Sequence, residues 1–139
     1  MAGNFGANRY RQTSIKTANR GQLLIMLYEA AILSVKKAAE SIDRNDIAGK
    51  GAAILKAHDI VNELSNTLDF DAGGEIATNL ERLYMYISEQ LIRANIENKK
   101  EPLQQVCKLL ETLLEGWRVA VEQVNRGQPQ NSGSNGPSG

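Results

Sequence analysis

Four apolar stripes at helical spacing, separated by three short breaks, constrain this chain more than any other feature. The last is the clearest: Leu103, Val106, Leu110, Leu113, Trp117, Ala120 and Val124 step by three and four residues. That is the seam of a helix in a bundle or coiled coil, and Pro102 suits its first turn. Ile76, Leu80, Leu83, Ile87, Leu91 and Ala94 form a similar stripe and predict a third helix from about Glu75 to Ile96. Ile47, Ile54, Val61 and Leu68 recur every seven residues and predict a second helix from about Asp46 to Leu68. Gly49 and Gly51 lie in its first half, each costing about 1 kcal/mol relative to Ala. That end is therefore either loose or packed close against another backbone. The first helix opens at Asn19, which caps it while Gln22 reaches back in a capping box, and it stops at Ile42 before DRND. DFDAGGE breaks the chain between the second and third helices, its glycine pair supplying turn geometry. Segments of about 20–25 residues, each roughly 30–37 Å long and joined by short links, predict an all-α antiparallel four-helix bundle over residues 19–125.

The first helix carries more apolar surface than one seam needs. Leu24, Tyr28, Ala31, Val35, Ala38 and Ile42 make its stripe, and Leu23, Ile25, Met26, Leu27 and Ile32 are left over on other faces. A membrane does not explain the excess, because the run Leu23–Leu33 is interrupted by Glu29 and falls far short of the roughly 20 residues a span requires. Either the helix is central and touches three neighbours, which periodicity favours, or part of it lines a groove filled by another segment. Met26 and Met85 are adaptable surface-formers that equally suit a core.

The ends differ from the middle. Residues 1–18 are polar but hold Phe5, Tyr10 and Ile15 as isolated anchors, so they are expected to be an extended N-terminal arm that docks onto a body. Residues 126–139, RGQPQNSGSNGPSG, are too poor in apolar groups to offset their ordering entropy and are expected to be a disordered C-terminal tail. MAGNFGANRYRQTS has no apolar core of signal-peptide type, and one cysteine, Cys107, allows no internal disulfide. A soluble cytoplasmic protein is expected. Sixteen basic residues balance sixteen acidic ones, so no global field draws in nucleic acid or anionic lipid. The arm is locally basic through Arg9, Arg11, Lys16 and Arg20, which suits solubility or an acidic partner better than nucleic acid.

Catalytic chemistry finds no foothold in the pattern. His58 and Cys107 are too few for a zinc site, and no Glu-x-x-His pair exists for a di-iron bundle. His58 rides the Ile54–Val61 stripe as a core or boundary residue, whereas a phosphorelay histidine must face solvent. DAGGEI lacks the lysine of a phosphate-binding loop, and Glu75 occupies the helix start where an anion would sit. The expectation is a non-enzyme with no catalytic residue, metal or cofactor. A phosphorelay bundle and a module that self-associates through the fourth helix are the alternatives from other classes.

NRYRQTSIKTANRGQLLIMLYEAAI resembles the N-terminal signature of the FliS family of flagellar export chaperones. The likeness continues through NTLDFDAGGEIATNLERLYMY to the tryptophan of EGWRVA, covering about residues 8–125, with LDFDAGGEIATNL followed by LYMY the most specific part. Gln22 stands where that family commonly has Glu, and Glu29 follows Tyr28 where Asp or Asn is frequent. The resemblance implies a cytosolic chaperone that binds the C-terminal segment of flagellin, prevents premature polymerisation and supports passage through the flagellar type III export apparatus. Export-gate components or a second flagellar regulator are further partners it suggests, with a monomer in a 1:1 complex. Carried over residue by residue, it nominates Asn8, Tyr10, Ile15 and Thr17 in the arm and Leu23, Leu27 and Tyr28 in the leucine-rich motif. Leu64 and Leu68 join them as groove candidates on pattern grounds alone.

Overall fold

In a computed structural model the chain forms four helices, and residues 20–127 are described. They are α1 (Ala2–Asp43), α2 (Ile47–Asn66), α3 (Phe70–Glu97) and α4 (Glu101–Asn135), an all-α four-helix bundle. Arm residues 1–18, the cap at Asn19 and the tail beyond residue 127 lie outside the described residues. Two compact units divide the chain: Met1–Met26 with Gly116–Gly139, and Leu27–Glu115.

Leu27–Glu115 holds the main core. Three-residue links separate its helices, so consecutive helices run antiparallel. Each link has a local chemical cause. Asn45 takes a left-handed conformation (φ 57°), and Asp46 caps α2 by accepting from the Gly49 N–H at 2.9 Å. A Cβ on Gly49 would run into Asp46 and Ser41, so this glycine marks a close approach of α2 to the end of α1. Gly51 has open space around it. At the end of α3, Asn98 turns left-handed (φ 55°) and its N–H donates to the Ala94 carbonyl. The buried Lys50 amine donates to the Asn95 carbonyl (3.1 Å) and to Asn98 Oδ1 (2.9 Å). A cation at that end meets the negative pole of α3 and satisfies a carbonyl the helix leaves unpaired.

DFDAGGE is more than a break. Asp69 caps a first turn, accepting from the Ala72 N–H at 3.0 Å, so α3 begins at Phe70 rather than Glu75. The axis then kinks at Gly74, whose φ of 51° and ψ of −123° suit only a residue without Cβ.

The buried residues of α1 are Ile25, Tyr28, Ala31, Ile32, Val35 and Ala38, with Ser34 and Ser41. At 100° per residue those in Leu27–Glu115 span about 180°, so Ile32, left over by the sequence pattern, joins that core, and Ile42 is half-buried at the end of the helix; Ile25 and the half-buried Leu24 belong to the other unit. On α3 the core face is Ala77, Leu80, Tyr84, Ile87, Leu91 and Ala94; Ile76 is exposed and Leu83 half-buried. On α4 it is Leu103, Val106, Leu110 and Leu114 rather than Leu113, and burial ends there: Ala120 and Val124 are exposed. The heptad on α2 is buried at Ile54 and Val61, with Ala57 and Leu64, but its end members Ile47 and Leu68 are not. End residues lack a neighbouring turn to cover them.

The buried Tyr28 and Tyr84 join α1 to α3, their hydroxyls 2.6 Å apart and their rings tilted at 57°. Burial first, then the charge and hydrogen bond of Tyr28, hold the Tyr84 phenol far above its ordinary range. Across the other side Lys36 pairs with Glu111 at 3.5 Å, an exposed bridge of little energetic weight.

In the second unit, the described residues are 20–26 of α1 and 116–127 of α4. A Cβ on Gly21 would lie 2.6 Å from a methyl of Val121, so the two helices approach closely there.

Two predictions follow from these contacts. Gly74→Ala should lower stability by about 1–3 kcal/mol in urea unfolding through backbone strain, while Gly51→Ala should raise it by about 0.5–1 kcal/mol. Tyr28→Phe takes a partner from the Tyr84 hydroxyl at a cost of about 1–3 kcal/mol, and the double Phe variant should cost less than the two singles combined. Because the folded Tyr84 keeps its proton, its contribution is complete below the unfolded phenol value near 10 and is lost as pH rises above it. Stability should fall there by up to about 1.4 kcal/mol per pH unit, and Tyr84→Phe should flatten that slope.

Candidate protein-binding surface

The helix periodicity that builds the core also decides which apolar residues are left in water. On α3, Met85, Ile92 and Ile96 fall within about 40° of one another and about 120° from the middle of the buried stripe. They sit on the flank away from Tyr86, whose hydroxyl reaches toward Gln105 of α4 at 3.5 Å. On α2, Ile47 and Leu55 sit on the flank away from Gly49, which faces Ser41 of α1. Both sets therefore border the outer seam between α2 and α3.

Their levels match. Lys50 is tied to Asn95 and Asn98, and the two helices run in opposite directions. Counting outward, Ile47 comes level with the Ile96 end and Leu55 with Ile92. Met85 lies about two turns further along. These five side chains are between 50% and 77% exposed, against complete burial for the core residues one turn away. The α3 side of the band is about 17 Å long, which is three turns of helix. Charges at its edge are mixed: Glu81, Glu89 and Asp59 are exposed, and Arg93 is held by Glu97 at 3.3 Å.

The residues nominated from the sequence fall elsewhere. Tyr28 and Leu64 are fully buried, and Leu23, Leu27 and Leu68 are half-buried. Asn8, Tyr10, Ile15 and Thr17 lie outside the described residues. Within LLIMLY only Met26 is exposed, and the boundary between the two units falls after it. The α2–α3 band escaped the sequence reading, although one signal for it was present: Met85, Ile92 and Ile96 repeat at seven and four residues beside the core stripe.

The chemistry-bearing side chains do not converge. His58 is half-buried with Nδ1 3.4 Å from the Asn62 amide, a boundary position on α2. Cys107 is half-buried, and burial with the Glu111 carboxylate beside it pushes its thiol up, away from the reactive thiolate. Among the described residues no three His, Cys, Asp or Glu side chains are grouped as a metal site requires, and no helix is long and apolar enough to cross a membrane. What the described surface offers is an elongated aliphatic band, suited to the apolar face of another helix.

Known proteins match this chain along nearly its whole length. The sequence profile described as "Flagellar protein FliS" covers residues 3–124. The flagellar secretion chaperone FliS of Salmonella typhimurium is 36% identical over 118 residues, spanning 81% of this chain and 87% of the relative. FliSB of Pseudomonas aeruginosa, also a flagellar secretion chaperone, is 35% identical over 113 residues, 78% of this chain and 90% of its own. The Campylobacter jejuni chaperone is 33% identical over 118 residues, 85% and 92% of the two chains. A bundle of four helices, a break at DFDAGGE and these matches agree: the chain belongs to the FliS family of flagellar secretion chaperones.

Proposed function

We propose that this protein binds the C-terminal segment of flagellin in the cytosol, keeps it from polymerising and presents it to the flagellar type III export apparatus as a 1:1 complex. The observation that carries the proposal is the band formed by Ile47, Leu55, Met85, Ile92 and Ile96, three helical turns of aliphatic surface that the fold itself does not use. The names of the relatives, flagellar secretion chaperones, support the reading from a separate direction.

The physics suits a holdase. A segment that is disordered alone and amphipathic when helical lays anchors spaced three or four residues apart along such a band. Binding hides the face through which the client would self-associate. Ordering the client costs about 2–5 kcal/mol of the gross interaction, so affinity stays moderate and release needs no ATP. The core positions Tyr28 and Leu64 hold the helices from within, and the half-buried Leu23, Leu27 and Leu68, away from the band, offer the client a second contact. The arm, through Asn8, Tyr10, Ile15 and Thr17, covers client-binding surface in the free protein and is displaced on loading.

Titration of the full chain with a flagellin C-terminal peptide should show saturable 1:1 binding by calorimetry; no heat and no shift would sink the reading. Leu55→Asp and Ile92→Asp should each weaken binding at least about tenfold, about 1.4 kcal/mol, with little change in melting temperature. His58→Gln should leave binding unchanged, whereas a phosphorelay role would make that variant inactive. For the arm, amide exchange is decisive. Residues 8–17 should lose protection when peptide binds, and equal exchange with and without peptide refutes the cover.

A further inference from the structure

Gly49 and Gly51 both weaken the first half of α2, because glycine gives up more backbone freedom in a helix than any other residue. The fold explains one of them. A Cβ on Gly49 would run into Asp46 and Ser41, just as one on Gly73 would press on Ala77. At Gly51 a Cβ would meet nothing within 4 Å, although the residue is half-buried. Half-burial beside open space describes a recess, in which the backbone lies lower than the side chains around it. Those side chains follow from the helix geometry. Ile47 and Leu55 stand one turn to either side of Gly51 on α2. The preceding residue, Lys50, reaches Asn95 and Asn98, which places Gly51 between the levels of Ile96 and Ile92 on α3. All four neighbours are exposed aliphatics.

We infer that Gly51 is the floor of a hole, walled by Ile47, Leu55, Ile92 and Ile96, that seats one large apolar side chain from the face of a bound helix. The inference rests on the α2–α3 band being the client surface, and it names the band's central anchor point. Four side chains around one vacancy is the arrangement in which a knob from one helix is received by others. The walls select its chemistry. A charged or amide side chain entering the hole would lose water and find no hydrogen-bond partner among four aliphatics. An alanine or serine would leave the hole underfilled. Leucine, methionine or phenylalanine fills it and covers walls that stand in water in the free protein. A single anchor seated in such a pocket carries an outsized share of binding. Gly51 therefore weakens α2 and serves the client, an opposition between stability and binding that marks a residue set by function.

The test compares the full chain with Gly51→Ala and Gly51→Leu, in thermal melts and in calorimetric titration with the flagellin C-terminal peptide. Both variants should melt no lower than the parent, since each replaces glycine by a better helix former in open space. Affinity should fall about fivefold for Gly51→Ala and at least about fiftyfold for Gly51→Leu, as the hole is partly and then wholly filled. A purely structural residue would move melting and affinity together. Gly51→Ala alone decides the matter should the larger leucine disturb the helix. Ala52→Leu adds the same side chain at the next, exposed position and should leave affinity within about twofold. Alanine scanning of the peptide then locates the knob. One truncation should cost the parent at least about tenfold but Gly51→Leu less than about threefold, because its hole is already occupied. Parent-like affinity in both Gly51 variants overturns the hole and leaves the band standing. So does an equal loss in Ala52→Leu, or a scan in which no truncation distinguishes parent from variant. Absence of peptide binding by the parent removes the band, and the hole with it.

Discussion

Two polar clamps set the register of an otherwise aliphatic core. Near one end, the hydroxyls of Tyr28 and Tyr84 meet in a buried contact that fixes the level of α1 against α3. At the other, the Lys50 amine closes the end of α3 through Asn95 and Asn98 and fixes α2 against it. Aliphatic side chains pack in several registers at similar cost, whereas a buried hydroxyl or amine that loses its partner is penalised in every register but one. The clamps therefore decide more than stability. Met85 follows Tyr84 and is turned outward by one helical step, and Ile92 and Ile96 follow on the same line. Holding Tyr84 inward is what holds that line outward.

The apolar surplus that stands out in the sequence is not the surface that stays open. Of LLIMLY, Ile25 and Tyr28 are buried and only Met26 is exposed, and within Leu27–Glu115 α1 is buried over about 180° of its circumference. On α3 the core stripe is narrower, and a second stripe runs beside it without being covered. Five aliphatic side chains in water forfeit burial worth up to about 1.5–3 kcal/mol each, a large sum against the stability of a small domain. Such an arrangement is what a surface awaiting an amphipathic helix looks like.

How much of this was legible in the sequence follows from what each signal depends on. Helix number, order and links were legible because periodicity, Asp46, DFDAGGE and Pro102 are local. The exact core face was less so. Leu113 and Leu114 differ by one step, and only the packing of α4 against its neighbours chooses Leu114. Ile32 needed the knowledge that α1 meets several helices at once. The extra turn at Phe70 was hidden by a glycine pair that reads as a simple break. Site residues were hardest. Tyr28 and Leu64 carry the same apolar signature whether they face a client or the core, and a family motif does not distinguish the two.

The force available for holding a client follows from what lines the proposed band. The band on α2 and α3 is aliphatic and bordered by charges of both signs, so salt hardly alters its attraction for an apolar helix. On that reading a client is held by apolar burial set against its own ordering cost, so holding and release need no catalytic step.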